Sequence, residues 1–246
     1  MAATAARRAR TPVRKLSLLA VLALFAGAAI SACGGSLRGG LDTRSVTTAP
    51  ITFTETVTTP TATYPTTTSV PYIGPQEVPI EVGRFLAPAV TTHLGTIVHG
   101  IQCEPTQQLA YRTYVHLQVY VNGRPRALPG GIGMVDPSGA VTQNGLVYSA
   151  QTCYYWLHTR AADGVILVES PNSRRFDLGD FFAIWNQPLS ARRVAGASGR
   201  VTAIVNGRPW TKSPRLIPLR QHTQIELAVG KPVPAFSPID WSVTNF

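Results

Sequence analysis

Alternation of polar and apolar positions dominates the second half of the chain. Tyr114-Val115-His116-Leu117-Gln118-Val119-Tyr120-Val121 changes character at every residue, the period-two pattern of a strand with one buried face. It stops at Asn122-Gly123, a pair suited to a two-residue hairpin because both residues tolerate positive φ. Gly164 to Glu169 reads as a second strand, ended by Ser170-Pro171-Asn172. Arg200 to Val205 is a third and runs into Asn206-Gly207, and Gln224 to Val229 is a fourth, stopped by Gly230-Lys231-Pro232. Leu146 to Ser149 and Tyr154 to His158 supply further strand signals. Val-Asn-Gly-Arg-Pro occurs at 121–125 and again at 205–209, which suggests two similar hairpins. One segment departs from period two: Leu178, Phe181, Phe182 and Trp185 fall at i, i+3, i+4, i+7 and predict a short helix. The expected fold is therefore mainly β, an antiparallel β-sandwich with one short helix, in a single domain over 73–246.

The first 72 residues follow other rules. Arg7, Arg8, Arg10, Arg14 and Lys15 form a basic stretch without an acidic residue, and Leu16 to Ile30 is apolar or small throughout. Small residues follow at once, which completes an export signal over 1–32. Ile30-Ser31-Ala32-Cys33 resembles the lipobox of bacterial lipoproteins. The resemblance implies that Cys33 is lipidated and becomes the first residue, so that the partner at this end is a membrane. Several acyl chains hold a protein durably, since each buried CH₂ contributes about 0.8 kcal/mol. From 33 to 72 the chain is a Thr/Pro-rich linker, with thirteen Thr between 43 and 68. Such a stretch buries too little apolar surface to offset its ordering entropy, so a disordered tether is expected.

Charge changes meaning once the signal is set apart. The whole chain carries +10, which invites a nucleic-acid reading. Removing 1–32 takes away five basic residues and no acidic one, leaving +5. The remaining Arg and Lys are scattered, with Arg174-Arg175 and Arg192-Arg193 the only basic pairs, so nucleic acid is not expected as a partner. With Cys33 assigned to lipid, Cys103 and Cys153 remain. In an oxidising compartment an even remainder reads as one disulfide. The rival reading, a thiolate metal site or catalytic cysteine, finds no CxxC and no Cys-His pair at ligand spacing.

Segments 111–123, 153–171 and 176–189 resemble an uncharacterised family of secreted or membrane-anchored bacterial proteins. The residues that carry the likeness are His116-Leu117, Pro129-Gly130-Gly131-Ile132-Gly133, Cys153-Tyr154-Tyr155-Trp156-Leu157-His158-Thr159, Gly164 to Pro171, and Leu178-Gly179-Asp180-Phe181-Phe182. The family carries clustered histidines that look like a metal site. Here Arg112, Tyr114, Arg160 and Leu167 stand where its other histidines would, and only His116 and His158 are left. Two imidazoles fall short of a closed structural zinc site; with Tyr114 or Glu169 they form a reduced site for zinc or copper. Arg112 and Arg160 oppose a cation and favour an anion instead.

Catalytic signatures are sparse. The sequence has no GxSxG, HExxH or P-loop, and Asp163, Glu169, Asp177 and Asp180 read as loop carboxylates, solvated or salt-bridged. The leading expectation is a lipid-anchored, non-catalytic domain that needs no cofactor. It binds an unknown envelope ligand or protein through the face carrying His116, His158, Arg112, Arg160, Tyr114 and Glu169. A metal-handling lipoprotein is the alternative and an envelope hydrolase comes third.

Overall fold

The alternating run around His116 becomes the spine of the molecule. The computed structural model describes residues 73–90 and 92–244; the export signal, Cys33 and the tether lie outside the described residues. In chain order the strands are β1 (Arg84–Phe85), β2 (Cys103–Glu104), β3 (Tyr111–Val121), β4 (Arg124–Ala127), β5 (Met134–Thr142), β6 (Gly145–Tyr155), β7 (Leu157–His158) and β8 (Val165–Ser170). After the helix α1 (Leu178–Ile184) come β9 (Leu189–Ser190), β10 (Arg193–Val194), β11 (Ala197–Ser198), β12 (Val201–Val205), β13 (Arg208–Trp210) and β14 (Thr223–Val229). The described chain is thus mainly β with one short α-helix, as its patterning predicts.

The largest sheet runs β1-β4-β3-β14-β12-β13, with β8 paired to β3 and β7 to β8. Strand β3 serves three partners: β14 along one edge, β8 and then β4 along the other. Both copies of Val-Asn-Gly-Arg-Pro form hairpins. Asn122 and Gly123 have φ of 51° and 75°, Asn206 and Gly207 of 48° and 75°, the left-handed pair of a type I′ turn. The two hairpins flank β14, with Val121 opposite Val229 and Val205 opposite Ile225. Two pairings depart from an all-antiparallel sheet: the short β1 runs parallel to β4, and β14 runs parallel to β3. Hairpin signals govern neighbours joined by a turn; β3 and β14 are joined by a long crossover, which permits parallel pairing.

The inner face of this sheet makes the core. Val115, Leu117, Val119, Ile166, Val168, Ile225, Leu227 and Val229 are all buried there with Tyr155, Leu157 and the α1 side chains Phe181 and Phe182. The helix starts where the Asp177 amide donates to Asp180 Oδ2 (3.1 Å), part of a capping arrangement that satisfies an otherwise unpaired donor. Trp185 closes it, donating from Nε1 to the Pro88 carbonyl at 2.7 Å. Cys103 and Cys153 form the expected disulfide, Cα–Cα 5.4 Å, which ties β2 to the long β5–β6 ribbon.

Candidate functional site

Period-two geometry sends the other side chains of the same strands to the outer face. Arg112, Tyr114, His116, Gln118 and Tyr120 alternate along β3; Glu169, Leu167 and Val165 stand opposite the first three on β8. His158 on β7 lies opposite Leu167, and Gln224 and Glu226 on β14 lie opposite His116 and Gln118. Of the residues singled out from sequence, Arg112, Tyr114, His116, His158 and Glu169 share this face, while Arg160 lies in the loop after β7 and acts on Glu169 and His158 through its charge. They do not form one site. Tyr114, Val165 and Leu167 make an apolar divide with Val78, capped by Ile239 and Trp241. His116 and His158 stand two strand spacings apart across β8, roughly 10 Å.

On one side of the divide lies a polar patch around Glu169, whose Oε2 has no hydrogen-bond partner. Arg112 Nε approaches Glu169 Oε1 at 3.5 Å, and His158 Nε2 approaches Glu169 Oε2 at 3.6 Å. His158 Nδ1 donates to the Tyr155 carbonyl at 3.0 Å, and its Nε2 meets the Gln107 amide at 3.3 Å. Both ring nitrogens are thus occupied, and burial pushes its pKa down to about 4. Burial raises the Glu169 carboxyl, and the charges of Arg112 and Arg160 pull it back. The two arginines that were expected to receive an anion already face a buried acid of their own.

On the other side the sheet opens into a groove of about 600 Å³, lined on its floor by His116, Gln118, Tyr120, Gln224 and Glu226. Two straps wall it, residues 73–82 and 237–243. The first strap is pinned where the Glu81 amide donates to the Ala162 carbonyl (2.8 Å) and where Leu128 N donates to Glu81 Oε2 (2.7 Å). The second is held by Gln224, whose Nε2 donates to the Ser237 carbonyl and whose Oε1 accepts from Ile239 N at 2.9 Å. Gln118, with its amide nitrogen toward the first strap, donates to Glu81 Oε1 at 3.3 Å.

His116 is the deepest polar group of this floor, only 5 % exposed. It bonds to the backbone of Asp163 while its Nδ1 has no partner, and burial lowers its pKa to about 4. At neutral pH the ring is therefore neutral. It is too weak a base to take a proton efficiently, and it offers Nδ1 as a hydrogen-bond acceptor. Behind it Gly164 adopts φ of +72°, and a Cβ there would lie 2.7 Å from both Glu81 Oε1 and His116 Nε2. The missing side chain lets the carboxyl and the imidazole close on the same point.

Acids gather around that point. Glu81 is pushed well above the usual carboxylate range, mainly by burial and further by the charge of Asp163. Asp163 is fully buried, accepts from Val165 N at 3.1 Å, and is raised to about 7 by burial. The sequence predicts a solvated or salt-bridged loop carboxylate; the turn before Gly164 instead folds it inward to cap the start of β8. Glu226, 3 % exposed, is raised by burial, and its Oε1 has no partner. The Tyr120 hydroxyl feels both Glu226 and Glu81.

Of the groove's residues, the sequence pointed only to His116. Gln118 and Tyr120 were legible as its period-two companions on β3, and Gln224 and Glu226 as the polar positions of another strand; the pairing of those strands was not. Glu81 sits in a segment without periodicity and left no signal. Among the described residues no group of three or more His, Cys, Asp or Glu is arranged to hold a metal ion, so the zinc or copper alternative finds no donor set in this part of the chain. Comparison with family models, curated proteins and solved structures finds no match for the chain.

Proposed function

We propose that this chain is an exported, lipid-anchored envelope protein whose β domain binds a small molecule in the groove over His116 and Glu226 and does no chemistry on it. The export signal and the lipobox-like Cys33 support the location. The binding reading rests on one observation: two side chains that are almost wholly buried, His116 and Glu226, keep polar atoms without partners and line the same groove. Buried polar atoms are nearly always paired; among the described residues seven side-chain atoms are exceptions, and two of them, His116 Nδ1 and Glu226 Oε1, belong to residues lining this one concavity. The groove size suits a small ligand, and its lining joins an apolar wall to a few convergent polar groups.

The test uses the full chain in detergent and a thermal-shift screen of soluble amines, alcohols and carboxylic acids. A ligand present at about 100 times its Kd stabilises the folded state by about 2.7 kcal/mol. Hits should raise Tm in the parent and lose their effect in Gln118→Trp, which fills the groove floor, while Arg112→Ala keeps it. Hits that survive Gln118→Trp and vanish in Arg112→Ala would move the site to the Glu169 patch and overturn the proposal.

A further inference from the structure

The groove has a sign. Glu77, Glu81, Glu226 and Asp240 line it, and no Lys or Arg does. That is four of the chain's 12 acidic residues, in a protein with 22 basic ones. Two features set this lining apart from a solvated acidic cluster. His116 and Glu226 are more than nine-tenths buried, and the atoms they leave unpartnered are His116 Nδ1 and Glu226 Oε1. In the tautomer that places the single N–H of the neutral ring on Nε2, toward the Asp163 backbone, Nδ1 is an acceptor, and so is a carboxylate oxygen. The neighbouring donors are already used: the Gln118 amide on Glu81 and the Gln224 amide on Ser237. Besides the Tyr120 and Ser237 hydroxyls, the polar lining that remains is carboxyls and one imidazole, which a donor-rich cation satisfies better than an anion does.

The rest of the lining is apolar. Val78, Pro79 and Ile80 come from one strap and Pro238 and Ile239 from the other. We infer, building on the groove as the binding site, that the ligand is a small organic cation: an ammonium or guanidinium set among Glu81, Glu226 and His116, on an apolar body lying along Val78 and Ile239. The cation favours the ionised forms of Glu81 and Glu226, opposing the burial that raises both carboxyls, while the body takes the straps' apolar surface out of water.

Isothermal titration of the full chain in detergent with 4-phenylbutylamine, 4-phenylbutanol and 4-phenylbutyrate separates charge from shape. The amine should bind at least about tenfold tighter than the alcohol, the size of one charge-assisted hydrogen bond, and the acid should not bind. Glu226→Gln and Glu81→Gln, each confirmed folded by its Tm, should each cost the amine about tenfold and leave the alcohol unchanged. Equal binding of amine and alcohol, or an amine affinity unmoved by both variants, overturns the cation while leaving the groove as a site. Failure of all three probes to bind overturns the cation and removes support for the groove together. A blocked Leu-Lys-Leu peptide that binds tighter than the free amine would assign the groove to a protein side chain and overturn the small-molecule inference.

Discussion

Gly164 holds the buried floor together at the scale of single atoms. Its φ of +72° belongs to glycine, and a methyl group there would meet Glu81 Oε1 and His116 Nε2 at 2.7 Å and the Leu117 carbonyl at 2.9 Å. Gly164→Ala should therefore destabilise the chain by about 2–4 kcal/mol in urea melts; a loss near zero would mean that the floor is loose. Asp163 carries a pH signature. With its pKa raised to about 7, the folded chain keeps a proton that the unfolded chain has released, so stability falls as pH rises from about 4 through about 7. His116 and His158, lowered to about 4, act with the opposite sign: they add stability as pH rises through the same range. Asp163→Asn should gain stability over the parent by a margin that grows by several kcal/mol between about pH 4 and pH 8. The histidine contributions are common to both proteins and cancel in the difference. A margin that does not change with pH would contradict the burial of an ionisable Asp163.

At the scale of elements, period two and turn chemistry carried most of what could be read in advance. The β3 and β12 hairpins follow from Asn-Gly alone, and α1 from the spacing of Leu178, Phe181 and Phe182. Local rules stop there. Nothing in Gln224 to Val229 states that this strand lies parallel to β3, because that contact spans about a hundred residues and is decided by packing of the shared core. The same limit hid the groove, whose floor needs β3 beside β14 and whose walls are two aperiodic straps. It also hides the contacts of loop histidines. His93, His99 and His222 lack partners at useful spacing in sequence, yet His93 reaches the Ala183 carbonyl at 2.9 Å, His99 meets Asp180 at 3.0 Å, and His222 stacks on Trp241. The disulfide belongs to this scale too. Closing a loop of 50 residues between Cys103 and Cys153 should contribute on the order of 4 kcal/mol by restricting the unfolded chain. Replacing both cysteines by Ser should lower Tm by that equivalent in calorimetry, and an unchanged Tm would show that the bridge stabilises nothing.

For the whole molecule, the basic balance of the full sequence is unevenly spread along the chain. Five of the basic residues sit in the stretch read as an export signal, and the groove over His116 is lined by acids, while a second concavity beside β12 and β13 is lined by Arg192, Arg200 and Lys212. The proposed arrangement is a binding domain held to a membrane through Cys33. Cys33→Ala should abolish incorporation of labelled palmitate and leave the signal uncleaved, read by mass on a gel; a processed product of mature size would refute the lipid anchor. The central claim is that ligand enters the groove over His116 and not the Arg112–Glu169–His158 patch on the same sheet. Protein-observed NMR of the full chain during titration with the three phenylbutyl probes measures this most directly. The account predicts shifts at His116, Tyr120, Glu226, Val78 and Ile239, with Arg112, His158 and Glu169 silent. Shifts centred on Arg112, His158 and Glu169, or spread over no contiguous set of residues, would contradict it.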